Sequence, residues 1–177
     1  MRKRQFDPSS TVIDSSCLIH LWKLDLIQKL SVQYNCIYIP RYVHEECGRN
    51  RRVKTRLREM IRSFHPFLQI CDVGNPYDAQ LLYDDQLNPN ANLDRGESEV
   101  IVQARERQIS SVLIDDRKGK KMAEQHTLQV NDILDVLSRL KRDGLIAEVK
   151  PYLLKLGRKY TPKTQRLQSF LQEHEEL

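Results

Sequence analysis

The sequence predicts an α/β fold, a three-layer α/β/α arrangement on a mainly parallel central sheet, and three observations carry the prediction. First, two short apolar runs, Thr11-Val12-Ile13 and Ser111-Val112-Leu113-Ile114, end abruptly in acid, at Asp14 and at Asp115-Asp116. Val and Ile favour a pleated, buried strand. Asp and Ser favour helix starts, because their oxygens accept the first unpaired N–H groups. Second, short apolar runs alternate along the chain with stretches of helical period, the pattern of parallel strands joined by right-handed helical crossovers. Third, the composition is globular: 177 residues, 40% hydrophobic and 30% charged, with only 6 Gly and 7 Pro. In such sheets ligands bind outside the carboxyl ends of the strands. Asp14, Asp115 and Asp116 all fall on that edge.

Each element follows from local chemistry. Behind the first strand, Leu18, Leu21, Trp22, Leu24, Ile27 and Leu30 mark one or two short helices. Residues 35–39 read as a second strand, Pro40 as the first turn of a helix, and Gly48 as its stop. A strongly basic segment over residues 49–62 carries Val53, Leu57, Met60 and Ile61 as its apolar stripe, and residues 67–71 form a third strand. Residues 74–92, rich in Pro, Asn and Asp, read as a loop holding one helix. Asp94 opens an amphipathic helix to about Arg107, then come the strand ending at Ile114 and a helix over residues 117–125. A brief strand near residues 128–130 precedes a helix capped by Asn131 and Asp132 and ending near Gly144. Residues 145–156 are helical around Pro151, and Thr161-Pro162 starts a last helix towards the acidic end.

Bulk properties narrow the function. Net charge +5 permits nucleic-acid binding. The four cysteines, Cys17, Cys36, Cys47 and Cys71, have neither CxxC nor metal spacing and read as reduced, small core residues of a cytoplasmic protein. The basic start lacks the apolar run of a signal peptide, and no stretch approaches the ~20 apolar residues of a membrane span.

On the helix from Asp94, residues three and four apart share a face. Glu97, Ile101 and Ala104 form the stripe turned to the core, whereas Glu99, Gln103 and Glu106 fall opposite and read as solvated. Glu46 shares its side of the preceding short helix with Val43 and Cys47. Asp14, Glu46, Glu97 and Asp115 or Asp116 would then converge on one sheet edge. Each has a simpler role available, Asp94-x-x-Glu97 being an acidic capping box. Together, four carboxylates so close repel one another unless a cation sits among them. Oxygen ligands without a Cys/His cluster point to Mg²⁺ or Mn²⁺, and such an ion could neutralise charge on a phosphodiester.

The stretches Val12-Ile13-Asp14-Ser15-Ser16, Val43-His44-Glu45-Glu46, Leu93-Asp94-Arg95-Gly96-Glu97 and Leu113-Ile114-Asp115-Asp116-Arg117-Lys118-Gly119-Lys120 resemble, in kind and order, the motifs of PIN-domain nucleases. The Gly-Glu and Asp-Asp forms look most like the subgroup akin to toxin ribonucleases. The resemblance implies a nuclease domain over residues 1–144 with a helical C-terminal extension over 145–177. It also implies metal-dependent hydrolysis of RNA, a homodimer and a cognate antitoxin. Asp14, Glu46, Glu97, Asp115 and Asp116 are the candidate catalytic and metal-binding residues, with Asp115 and Asp116 alternatives for one place. Ser15 would orient Asp14 or a water. Arg49, Arg52, Lys118, Lys120 and Lys121 are candidate phosphate contacts, while Trp22, Tyr38, Tyr42 and Tyr83 read as packing residues before base-stacking ones. The alternative is a non-catalytic nucleic-acid or protein-binding module on the same fold.

Overall fold

The computed structural model describes residues 9–49, 51–84, 93–157, 160 and 164–176, with the side chains of 51–54 outside it. Five parallel strands form one sheet in the order β3-β2-β1-β4-β5. They are β1 (Thr11–Ile13), β2 (Ile37–Pro40), β3 (Leu68–Cys71), β4 (Ser111–Leu113) and β5 (Gln129–Asn131). Helices flank the sheet in three layers: α1 (Ser15–Lys23), α2 (Arg41–Cys47), α3 (Arg51–Ser63), α4 (Pro76–Asp84), α5 (Arg95–Arg107), α6 (Arg117–Gln125) and α7 (Ile133–Arg142). A 3₁₀ turn over Ile27–Val32 takes the second half of the stretch read as one or two helices.

The strand order contains the feature that matters most. From β1 the chain steps outward through β2 and β3, then returns to lay β4 on the other side of β1 and β5 beyond it. The direction reverses between β1 and β4, so this is the switch point at which open α/β sheets place their ligands. Register is fixed there, with Ile13 opposite Leu113 and the Asp14 N–H donating to the Leu113 carbonyl at 2.9 Å. Val12, Ile13, Val112 and Leu113 are wholly buried, the β-branched and aliphatic content expected of strands covered on both faces.

α5 spans this centre, touching β1, β2 and β4 as well as α2, α4 and α6. It is therefore buried through its whole first half, Gly96 to Ala104. This corrects the expectation for one side of it. Glu99 is only 6% exposed and Gln103 0%. Periodicity anticipates one covered stripe, whereas α5 has neighbours on several sides. Backbone groups hold both: Glu99 Oε2 accepts from the Tyr42 N–H at 3.2 Å, and Gln103 Nε2 donates to the Cys71 carbonyl at 3.0 Å, while Gln103 Oε1 is buried without a partner among the described residues.

Two further helices, α8 (Lys150–Leu156) and α9 (Gln165–Glu173), follow, so the helix expected over 145–156 is confined to its second part, with residues 145–149 irregular ahead of Pro151. Pro151 sits in the first turn of α8, where its missing N–H costs nothing. The start of the last helix, expected at Thr161-Pro162, lies outside the described residues, and Thr164 caps α9. Glu176 fastens the end of the chain, accepting from the Val149 and Lys150 N–H groups and from Lys141 Nζ at 2.6–2.9 Å. Truncating Ile101, wholly buried in α5, to Ala should cost ~2–5 kcal/mol. For a chain this size that is a melting temperature lower by roughly 5–15 °C in a thermal denaturation scan.

Candidate active site at the carboxyl edge of the sheet

Asp14 ends β1 and caps α1. Its Oδ1 accepts from the Cys17 N–H at 2.6 Å, and its Oδ2 from the Asp115 N–H at 3.1 Å. One carboxylate thus joins the ends of both central strands. It is 4% exposed. Burial pushes its pKa up to about 7, with the charge of Asp115 adding to the effect and the two N–H bonds opposing it.

Glu97 arrives from α5. The capping box expected from sequence is present: Asp94 Oδ1 accepts from the Glu97 N–H at 2.7 Å, and Glu97 Oε2 from the Asp94 N–H at 3.0 Å. The same carboxyl faces the acidic edge. Burial, then the charges of Asp94, Asp116 and Asp14, raise its pKa to about 8. Capping and membership of the acidic group are therefore compatible.

Two glycines make room. A Cβ on Gly119 of α6 would lie 2.7 Å from Glu97 Oε1 and 2.9 Å from Ile114 Cγ2, closer than carbon tolerates. A Cβ on Gly96 would lie 3.1 Å from Glu46 Oε2. That oxygen is buried and has no hydrogen-bond partner among the described residues. An acceptor left so is costly unless something else fills the role.

Asp115 and Asp116, alternatives in the sequence, have different surroundings. Asp115 is the inner one, its side chain 5% exposed, with the Tyr160 hydroxyl donating to Oδ2 and His20 Nδ1 3.7 Å from the same oxygen. Asp116 is exposed and caps α6 through the Lys118 N–H at 2.7 Å. Ser15 is the first residue of α1, and Cys47 Sγ lies 3.9 Å from its carbonyl oxygen. Burial and the nearby charges of Glu46 and Asp14 push the Cys47 thiol up to about 12, and burial beside Asp14 raises Cys17 as well.

Three participants escaped the sequence reading. Asp132 follows β5 as Asp14 follows β1, and the strand-then-acid signal was present there too. It is 3% exposed and pairs with Lys120 and Arg166. Burial works to raise its pKa, but those cations hold it down at about 2. Tyr160 reaches Asp115 from 45 residues away and packs edge-on to His20 with ring centres 5.3 Å apart. Nothing local announces either contact. Among the candidate phosphate contacts, Lys118 and Lys121 are exposed, Lys120 is tied to Asp132, and Arg49 is exposed beside Tyr42. The side chain of Arg52 lies outside the described residues.

A family model described as a PIN domain matches residues 10–176. The chain belongs to the PIN-domain family. None of the curated proteins matches it. The PIN domain is a nuclease fold whose members are generally metal-dependent ribonucleases using divalent cations such as Mg²⁺. The residues of this chain suit such an ion in kind: carboxylate oxygens, two of them with raised pKa, and one orphaned buried acceptor on Glu46. As the side chains stand, no three His, Cys, Asp or Glu among the described residues are grouped closely enough to hold a metal. No helix among the described residues is long and apolar enough to cross a membrane.

The raised values set a pH dependence. Asp14 and Glu97 keep their protons in the folded chain at pH values where the unfolded chain has released them. Their contribution to stability therefore falls as pH rises from about 4 to about 8. In EDTA the melting temperature should drop more steeply between pH 5 and pH 8 in the native chain than in Glu97→Gln. The difference between the two isolates Glu97 from His126, whose pKa burial lowers and which works in the opposite sense. Equal slopes would refute the assignment. Gly119→Ala gains helix propensity but forces a carbon against Glu97 and Ile114, a clash typically worth ~1–3 kcal/mol. A net fall in melting temperature of roughly 2–8 °C is expected by calorimetry.

Proposed function

We propose that this PIN domain is a Mg²⁺- or Mn²⁺-dependent endoribonuclease. The single observation that carries the reading is the meeting of β1 and β4 through the Asp14 carboxylate, with Glu97 close enough for its pKa to feel Asp14 and Asp116. Asp14, Glu46, Glu97 and Asp115 would hold the ion, with Asp116 the outer alternative to Asp115. When bound, a divalent cation supplies Lewis-acid polarisation of a phosphodiester oxygen and acidification of water.

The chain's own groups prepare the site for it. To hold such an ion Asp14 and Glu97 would have to give up their protons, so binding would strengthen as pH rises. Glu46, whose buried Oε2 has no partner among the described residues, would be one of its ligands. Ser15 orients Asp14, and exposed Lys118 and Lys121 attract the polyanion. The toxin role and its antitoxin and homodimeric partners are supported by the Gly96-Glu97 and Asp115-Asp116 forms. Growth arrest on induction, relieved by a co-expressed neighbouring reading frame, tests them.

A second reading, a non-catalytic binding module, draws on the open arrangement of the donors. One experiment separates the two. The purified protein is incubated with single-stranded RNA in Mn²⁺ and in EDTA, beside Glu46→Gln. That variant is preferable to Asp14→Asn, because Asp14 accepts two backbone N–H bonds whereas Glu46 Oε2 accepts none. Cleavage should require the metal and fall by at least ~10²-fold in Glu46→Gln, the scale of losing one electrostatic group at a reacting centre. Mn²⁺ should also raise the melting temperature of the native chain. Cleavage that persists in EDTA overturns the proposal, and absence of both cleavage and stabilisation favours the binding module.

A further inference from the structure

Tyr42, on the first turn of α2, gathers two arginines beside the acidic edge. The Arg95 guanidinium lies 4.8 Å from the centre of its ring and that of Arg49 5.8 Å. Arg49 Nη2 also donates to the Tyr42 hydroxyl at 2.9 Å. The arginines come from different elements, Arg95 opening α5 and Arg49 following α2. The ring is a contact common to both.

The platform is itself anchored. The Tyr42 N–H donates to Glu99 Oε2 at 3.2 Å, and Glu99 Oε1 lies 3.5 Å from Arg95 Nε. Glu99 thus offsets part of the Arg95 charge, but it approaches only Nε, with Arg95 53% exposed at the side chain. Tyr42 is half-buried and Arg49 exposed. A guanidinium resting on an aromatic face is partly ordered before any ligand arrives, which lowers the entropy lost on binding. Its planar fork matches phosphate oxygens bidentately.

Position decides what such a pair would grip. Tyr42 is one helical turn before Glu46 on α2, and Arg95 immediately precedes Gly96, on which a Cβ would lie 3.1 Å from Glu46 Oε2. The cations therefore flank the carboxylates without pairing with Glu46. A nucleic-acid strand carries a charge at every residue, so one phosphate at the acids brings its neighbours alongside.

We propose that Arg49 and Arg95, ordered on Tyr42, form a subsite for the phosphodiester backbone of single-stranded RNA, gripping phosphates adjacent to the one presented to the carboxylates. This rests on the nuclease reading for its substrate, but it is a statement about binding. It makes the preferred ligand an oligonucleotide of several residues and assigns Tyr42 a positioning role.

The test is fluorescence anisotropy in EDTA with a 5′-labelled ten-residue oligouridylate, over a series of salt concentrations. Each phosphate contact contributes about 0.7 to the slope of log affinity against log salt on a single strand. The Arg49→Ala/Arg95→Ala double variant should lose about 1.4 of that slope and at least ~10-fold in affinity at low salt. Tyr42→Leu should weaken binding several-fold, and Tyr42→Phe, which keeps the ring, should retain most of it. Unchanged melting temperatures show that the variants are folded. Full affinity and the parental slope in the double variant overturn the subsite. If that happens while the native chain cleaves RNA in Mn²⁺, the nuclease reading stands without it. If binding depends on the arginines but no metal produces cleavage, the subsite stands and the nuclease reading falls.

Discussion

Everything at the functional edge depends on one pairing, the parallel contact of β1 with β4. It reverses the winding of the sheet and sets two strand ends side by side. The Asp14 carboxylate takes the Asp115 N–H, so a bond that completes the sheet also pulls acids together. The fold then has to accommodate negative charge in a buried place. It does so in three ways. Backbone N–H groups serve Asp14, protonation at raised pKa serves Asp14 and Glu97, and glycines at 96 and 119 leave space around Glu46 and Glu97.

Cations enter one step away from that centre. Lys120 and Arg166 converge on Asp132 beyond β5, and among the described residues Asp14 and Glu97 have no ion pair with a basic side chain. The same protein thus contains two buried acids under opposite rules. Asp132 is ionised far below neutrality and its contribution to stability disappears only in strong acid, whereas Asp14 and Glu97 lose favour as pH rises through their elevated values. Among the described residues, the acid with cationic partners keeps its charge in the fold, and the two without them hold their protons into the neutral range.

The strands and most helices were legible because they rest on local signals: β-branched runs, an acid at the strand end, capping residues, Gly48 as a stop. Glu97 was legible from helical period and its capping box. The burial of Glu99 and Gln103 was not, because α5 has several neighbours and period reports a single covered stripe. Asp132 carried the same strand-end signature as Asp14 but was read only as a cap, a role it also performs. Tyr160 and His20 reach Asp115 through tertiary contacts that no spacing encodes. Pro151 fitted either the interior or the start of a helix by its local signal, and the structure makes it a start.

The buried thiols at this edge have a consequence for ion choice. Sulfur coordinates as thiolate, and Cys17 and Cys47 are held in the neutral form by burial and by the carboxylates around them. A thiophilic ion such as cadmium would have to displace those protons to reach sulfur, so its uptake there would rise with pH.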